Sequence, residues 1–393
     1  MTTSSPGIGP PRAGSVSGRF TLPPLRGAVK PRAPGRPAAL SVQSLPDYSR
    51  PVGLAHLSLA DVARLAGVSP ATASRALNSR PEVAEATRAR VLAVAREHHY
   101  VASPEASGLA SRTTGRVAVV VPHLSRWFFG ALLEGLEARL RRARLDVLLY
   151  HVPTRRDRHD FFERLPARRK VDAVVVLAFP VSEHEQARLA MMGVGIVAAG
   201  GQVAAFPHVC IDDHAAARQA VDHLLFLGHR RIAMIEAVDP ESAEWRDGMG
   251  RTTGYHEALA EAGVAPDPDL VVTVPWGEQH GADAMSRLLG LRVPPTAVYA
   301  HSDEVAAGAL ATIRRAGLRV PQDVSVIGID DHPVAALLDL TTVAQPVREQ
   351  GEAAGQLVVD LVAGRQVAPA APVPTRLVVR GSTGPPRQAD AGR

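Results

Sequence analysis

Apolar residues recur at helical spacing in three short bursts between positions 58 and 98. Val62, Leu65 and Ala66 share one face of a first helix, Ala73, Ala76 and Leu77 one face of a second, and Val91, Leu92 and Ala95 one face of a third. Ser58 with Asp61 three residues on has the form of a capping box. Gly67 breaks the first helix, and Ser69 followed by Pro70 is a start signal for the second, because a residue without an N–H costs nothing at the first helical position. The sequence Asn78-Ser79-Arg80-Pro81 ends that helix. Three short helices with a glycine turn between the first two form the helix-turn-helix pattern.

From position 116 the period changes. Short aliphatic runs at 117–121, 147–150, 173–177, 195–198, 232–236, 270–274, 297–300, 324–329 and 376–379 read as strands. Between them, helical patterns cover 127–142, 161–169, 183–191, 215–227, 254–262, 281–289, 304–316 and 348–363. Strands that alternate with helices of this length predict parallel sheets with helices on both faces. There are more strands than one such sheet usually carries, so two linked α/β lobes are predicted. A ligand in that architecture belongs at the carboxyl ends of the strands, in the cleft between the lobes.

Charge alters this picture only at the N-terminus. The net charge of +5 is exceeded by residues 1–53 alone, where Arg12, Arg19, Arg26, Lys30, Arg32, Arg36 and Arg50 stand against the single Asp47. The remainder is close to neutral, so overall basicity does not argue for nucleic acid binding by the body. Residues 1–53 are rich in proline and glycine and poor in aliphatic clusters, which predicts disorder. Two readings of that tail stay open: a basic arm that adds non-specific DNA affinity, or an upstream start codon taken in error.

The single cysteine, Cys210, excludes an internal disulfide and fits a reducing cytoplasm. No apolar stretch approaches the ~20 residues of a membrane span, and the N-terminus lacks the apolar core of a secretory signal. There is no glycine-rich phosphate loop, metal-spaced His/Cys cluster or nucleophile elbow. The chain is therefore expected to be neither an enzyme nor a metal or cofactor protein.

Four segments carry a family resemblance. The run LADVARLAGVSPATASRALN (59–78) resembles the DNA-binding signature of the LacI/GalR family. LGHRRIA (227–233), VPQDVSVIGIDD (320–331) and LVVRGST (377–383) resemble that family's sensor domain and follow in the same order. The resemblance covers about residues 57–384. It implies a helix-turn-helix domain at 54–102, a hinge at 103–115, a two-lobed periplasmic-binding-protein-like (type I) α/β sensor at 116–384, and a flexible end at 385–393. It also implies a cytoplasmic homodimer, most simply a repressor, that binds a near-palindromic operator in double-stranded DNA.

By the same resemblance, the second helix reads the major groove with Pro70, Ala71 and Arg75. Arginine bidentate to guanine is the commonest specific contact of this kind. Ser58, Ser69, Thr72, Ser74 and Asn78 match the family's phosphate-contacting positions, although Ser58 and Ser69 are needed as helix caps in any case. Ala106 and Leu109 match the small residue and the minor-groove leucine of a hinge helix. The chain departs from the family there: Ala102 and Ser103 stand where Pro and Asn are usual, and Pro104 and Gly108 are poor helix formers. In the sensor, Trp127, Phe128, Phe129, Arg251, Trp276, Ser302 and Asp330 are the candidate effector contacts, with Ser302 standing where many relatives carry Asn. The implied effector is a carbohydrate, with a purine base or nucleoside as the alternative; the rival reading of the whole chain is a ligand-binding protein without a transcriptional role.

Overall fold

The computed structural model describes residues 57–78, 80–100, 113–201, 206–241 and 250–387. The predicted tail at 1–53 and the predicted hinge at 103–115 up to residue 112, including Ala106 and Leu109, lie outside them.

Three helices open the described chain: α1 (Leu59–Leu65), α2 (Pro70–Leu77) and α3 (Glu85–Glu97). Ser58 caps α1 in a full capping box with Asp61, and Ser69 caps α2 with Pro70 in its first turn. Gly67 turns the chain between them at φ 64°, a left-handed conformation that glycine adopts without a Cβ penalty. Val62, Ala63, Ala66, Ala73, Ala76, Val83 and Val91 form the buried core of this small unit. Alanine at the α1–α2 contact lets two short helices approach closely.

The first lobe contains β1 (Arg116–Val121), α4 (Trp127–Arg142), β2 (Asp146–His151), α5 (Arg155–Arg164), β3 (Ala173–Leu177), α6 (Glu183–Ala190), β4 (Gly195–Ala199) and β5 (His208–Cys210). The second contains α7 (Asp213–Phe226), β6 (Ile232–Val238), α8 (Gly250–Glu261), β7 (Val271–Pro275), α9 (Glu278–Leu289), β8 (Ala297–Ala300), α10 (Asp303–Arg315), β9 (Ser325–Asp330), α11 (Pro333–Leu338) and β10 (Thr341–Ala344). The chain then returns to the first lobe with α12 (Val347–Val362) and β11 (Ala370–Pro372), and ends in the second with β12 (Arg376–Val378). The strand orders are β11-β5-β4-β3-β1-β2 and β12-β10-β9-β8-β6-β7. Every strand pair is parallel except β10–β12.

Both faces of each sheet are covered, which is why the strands read as unbroken aliphatic runs. Val117, Val119 and Val121 pack towards α4 and α12, while Ala118 and Val120 pack with Phe161 and Phe162 of α5. In the second lobe, Ala233, Ile235 and Ala237 face α9 and α10, and Ile232 and Met234 face α7 and α8. The LGHRRIA segment has a structural role here. His229 joins Thr296 Oγ1 (2.9 Å), Ser325 Oγ (3.1 Å) and the Gly384 carbonyl (2.9 Å), tying the entry of β6 to the C-terminal segment.

Four elements escape the sequence pattern. His208–Cys210 and Ala370–Pro372 are three residues each, too short to show a period, and α11 with β10 reads as a loop because 332–342 mixes proline, aspartate and threonine. The helix expected at 161–169 instead spans Arg155–Arg164. Thr154 caps its start, and Leu165 turns left-handed (φ 44°) immediately before Pro166.

Helices α4 and α12 cross with their backbones in contact. A Cβ on Gly351 would lie 2.0 Å from the Leu132 carbonyl oxygen, and one on Gly135 2.0 Å from that of Arg348. Gly351→Ala should therefore cost ~1–3 kcal/mol by overpacking, read as a lower urea midpoint. An unchanged midpoint would show that the crossing relaxes freely.

Candidate functional site

A cavity of about 150 Å³ lies between the lobes. Every segment lining it leaves the carboxyl end of a strand or enters the first turn of a helix. Pro122 and His123 follow β1, Phe179 and Pro180 follow β3, Asp239 follows β6, Trp276 follows β7, and Asp330 ends β9. Arg126, Phe128 and Phe129 come from the start of α4, and Asp213 and Arg251 from the starts of α7 and α8.

One end of the cavity is polar. Arg251 is buried, and its Nε donates to Asp213 Oδ1 at 2.6 Å while another guanidinium nitrogen donates to the His301 carbonyl. Burial works against its charge, but the carboxylates of Asp213 and Asp330 more than offset this and keep it protonated. Asp330 accepts from Gln345 Nε2 at 2.6 Å, and Gln345 Oε1 in turn accepts from Gln350 Nε2 at 2.9 Å. Asp330 has φ 130° and the following Asp331 φ 56°. Such strain on a non-glycine pair persists only where surrounding contacts impose it, and it concentrates at functional sites. Burial pushes the Asp330 carboxyl up to about 6, against the pull of Arg251.

Beneath Asp330 lies Asp303, fully buried. It accepts from the His332 backbone N–H (2.8 Å) and from Thr342 Oγ1 (2.7 Å). Burial and the neighbouring Asp330 charge raise its carboxyl as well. The rest of the lining mixes Phe128, Phe129, Phe179, Trp276, Pro122 and Pro180 with the polar His123, Arg126 and Asp239. Such a site offers a buried hydrogen-bonding cluster together with flat apolar contact. Among the described residues no group of three or more His, Cys, Asp or Glu side chains could hold a metal ion, and no helix is long and apolar enough to cross a membrane.

The cavity brings together Phe128, Phe129, Arg251, Trp276 and Asp330 of the residues the sequence singles out. Trp127 and Ser302 do not line it. The Trp127 ring packs edge-on against His332 at 4.7 Å, because α4 turns successive side chains to different faces. Ser302 is buried, and its hydroxyl caps α10 by accepting from the Val305 N–H. Arg126, His123, Phe179, Asp213, Asp239 and Gln345 are lining residues missed by the sequence reading. Their signal is positional, since each stands just past a strand or at a helix start. For Asp213 and Gln345 the preceding strands were themselves not visible.

The helical unit presents a second surface. Ala73 and Ala76 turn α2 inward, which leaves Pro70, Ala71, Arg75 and Asn78 exposed. Arg75 makes no ion pair among the described residues. Ser69 Oγ accepts from the Thr72 N–H (3.1 Å) and meets Thr72 Oγ1 at 2.9 Å, while Asn78 Nδ2 donates to the Ser74 carbonyl (3.0 Å). Ser58 caps α1 through the Asp61 N–H (3.2 Å). Ser69, Thr72 and Asn78 are thus held in place locally on α2, and Ser58 at the start of α1.

Residues 58–103 match the family described as bacterial regulatory proteins, lacI family, and residues 221–383 match the periplasmic binding protein-like domain. The chain is similar to the HTH-type transcriptional repressor CytR of Escherichia coli (strain K12). The two are 34% identical over 333 residues, which cover 83% of this chain and 96% of that repressor. The transcriptional regulator CelR in its cellobiose complex superposes with a TM-score of 0.62 at 32% identity, covering 83% of this chain and 99% of that one. The lac repressor dimer bound to operator and the anti-inducer ONPF superposes with a TM-score of 0.75 at 25% identity, covering 84% and 99%.

The Asp330 carboxyl sets a pH dependence. Its folded value of about 6 lies above the ordinary 3.8, so the folded state holds the extra proton between them. Titrating together with the buried Asp303, Asp330 therefore makes stability fall as pH rises above about 4. Asp330→Asn should raise the melting temperature at pH 7 and flatten the profile across that window. A lower melting temperature at pH 7 with an unaltered profile would contradict this.

Proposed function

Because the chain belongs to the LacI family of bacterial regulatory proteins, we propose that this DNA-binding transcription regulator is an operator-binding repressor controlled by a small effector in the interlobe cleft. It acts in the cytoplasm as a homodimer on a near-palindromic site, since each helical unit reads one half-site. The observation that carries the effector reading is the cavity itself. It sets the Arg251–Asp213 pair and the strained Asp330 at one end, against aromatic walls along the sides.

The effector is a neutral carbohydrate. Arg251, Asp330 and Gln345 can fork hydroxyls, and an aromatic wall suits the apolar side of a sugar ring. The cellobiose complex of CelR, 32% identical to this chain, supports that class. A purine base or nucleoside is the second reading, favoured by the several ring faces among Phe128, Phe129, Phe179 and Trp276, which also suit a planar base.

On DNA, Arg75 donates to a guanine edge, Pro70 and Ala71 fit a thymine methyl or the groove shape, and Ser58, Ser69, Thr72, Ser74 and Asn78 contact phosphates. Residues 103–115 act as the hinge, with Ala106 and Leu109 at the centre of the site. Arg251, Trp276, Phe128, Phe129 and Asp330 hold the effector.

The test begins with selection of binding sites from random DNA by the full chain, which should yield a near-palindrome. Arg75→Ala should then lose ~1–3 kcal/mol on that site and little on random DNA; equal loss on both would make Arg75 a phosphate contact. Arg251→Ala should bind the site as tightly as the parent while losing the response to sugars and nucleosides that alter parental binding. A retained response would remove Arg251 from the effector site.

A further inference from the structure

Arg126 occupies the N-cap position of α4 and makes no side-chain cap bond there. A cation at that end opposes the helix dipole, which favours negative charge at N-termini. The side chain instead crosses the cleft. Its Nε lies 3.4 Å from Glu304 Oε2, in the first turn of α10, and its guanidinium carbon lies 4.6 Å from the centre of the Trp276 ring. Both partners belong to the second lobe. On its own side the same guanidinium lies 5.7 Å from the Phe129 ring. Arg126 and Trp276 both line the cavity, so this contact forms part of its wall. Glu304 supplies the charge that α4 cannot, in the one turn of α10 where an anion is favoured.

Other contacts also join the two lobes. Trp127 packs on His332, His123 Nε2 lies 3.2 Å from Asp239 Oδ2, and the Arg155 N–H donates to Glu241 Oε2 at 2.9 Å. Each is a modest interaction by itself. Among the described residues, only Arg126 combines an ion pair, a guanidinium over an aromatic ring and a place in the cavity wall. When the lobes separate, its charge loses Glu304 and the Trp276 face together, and stays on the positive end of α4.

We propose that Arg126 is the bar of an interlobe latch, a positioning residue that holds the cleft closed and forms a wall of the cavity. The proposal rests on the reading of this cleft as the effector site for its meaning, but its geometry stands without it.

The test is a pulsed electron–electron distance measurement on the full chain with neither DNA nor effector present. Spin labels are placed on Arg156→Cys in α5 and Asp283→Cys in α9, in a Cys210→Ser background. Arg126→Ala should lengthen the mean separation and broaden its distribution. Arg126→Lys keeps a charge for Glu304 but puts no guanidinium over the Trp276 ring, and should fall between the parent and the alanine variant. Arg126→Glu alone should open the cleft furthest, and Arg126→Glu combined with Glu304→Arg should bring the separation back towards the parent.

Identical distributions in parent and Arg126→Ala, with the same circular dichroism melt, would overturn the latch. So would a charge-reversed pair no more closed than Arg126→Glu alone. If the alanine variant does not fold, the lysine variant and the charge-reversed pair decide the matter. Because no DNA or effector enters the measurement, a failed latch leaves the regulatory reading intact. A latch that opens as expected in a chain with no effector response would count against the effector reading alone.

Discussion

Three chain crossings between the lobes constrain everything else in the sensor. The chain passes over between β5 and α7, back between β10 and α12, and over again between β11 and β12. The carboxyl ends of β1, β3, β6, β7 and β9 all lead into one shared cleft. Each lobe also has its own doubly covered sheet and its own core. A ligand that touches both lobes can then bias their arrangement only by the difference in its affinity for the two forms.

The cleft is electrostatically prepared. Arg251 arrives already paired with Asp213, Arg126 with Glu304, and His123 with Asp239. Asp330 is held in a strained backbone, buried, and near enough to a second buried carboxyl, Asp303, to raise it. A folded protein carries such an arrangement at a cost to stability, and sites of this kind are where function and stability trade against each other. A bound hydroxyl at Asp330 would add a hydrogen-bond donor to the one it now receives from Gln345.

Much of this was legible in the residues alone. The capped helices of the DNA-binding unit follow from Ser58, Asp61, Gly67, Ser69 and Pro70, because caps and glycine turns are local chemistry. The two-lobed α/β class follows from long runs such as 117–121, whose residues are apolar because both faces of the sheet are covered. Family resemblance pointed to Arg251 and Asp330. What was not legible depends on distance in the chain. His208–Cys210 is too short to announce itself, so Asp213 beyond it could not be placed at a strand end. Trp127 and Phe128 are adjacent, and only the helix decides that one meets His332 while the other faces the cavity. The contacts of Arg126 lie 150 and 178 residues away, at Trp276 and Glu304, and no local pattern marks them.

The central claim is that the cleft and the DNA-binding helices are two sites of one switch, and linkage tests it most directly. The compound that most raises the melting temperature, from a panel of neutral carbohydrates and nucleosides, would be titrated into the full chain, free and bound to its selected operator. Operator affinity would be measured with and without that compound. The account predicts that the compound changes operator affinity by a factor different from one, and that operator changes the affinity for the compound by that same factor, as reciprocity requires. A compound that binds in the cleft while both factors equal one would contradict it.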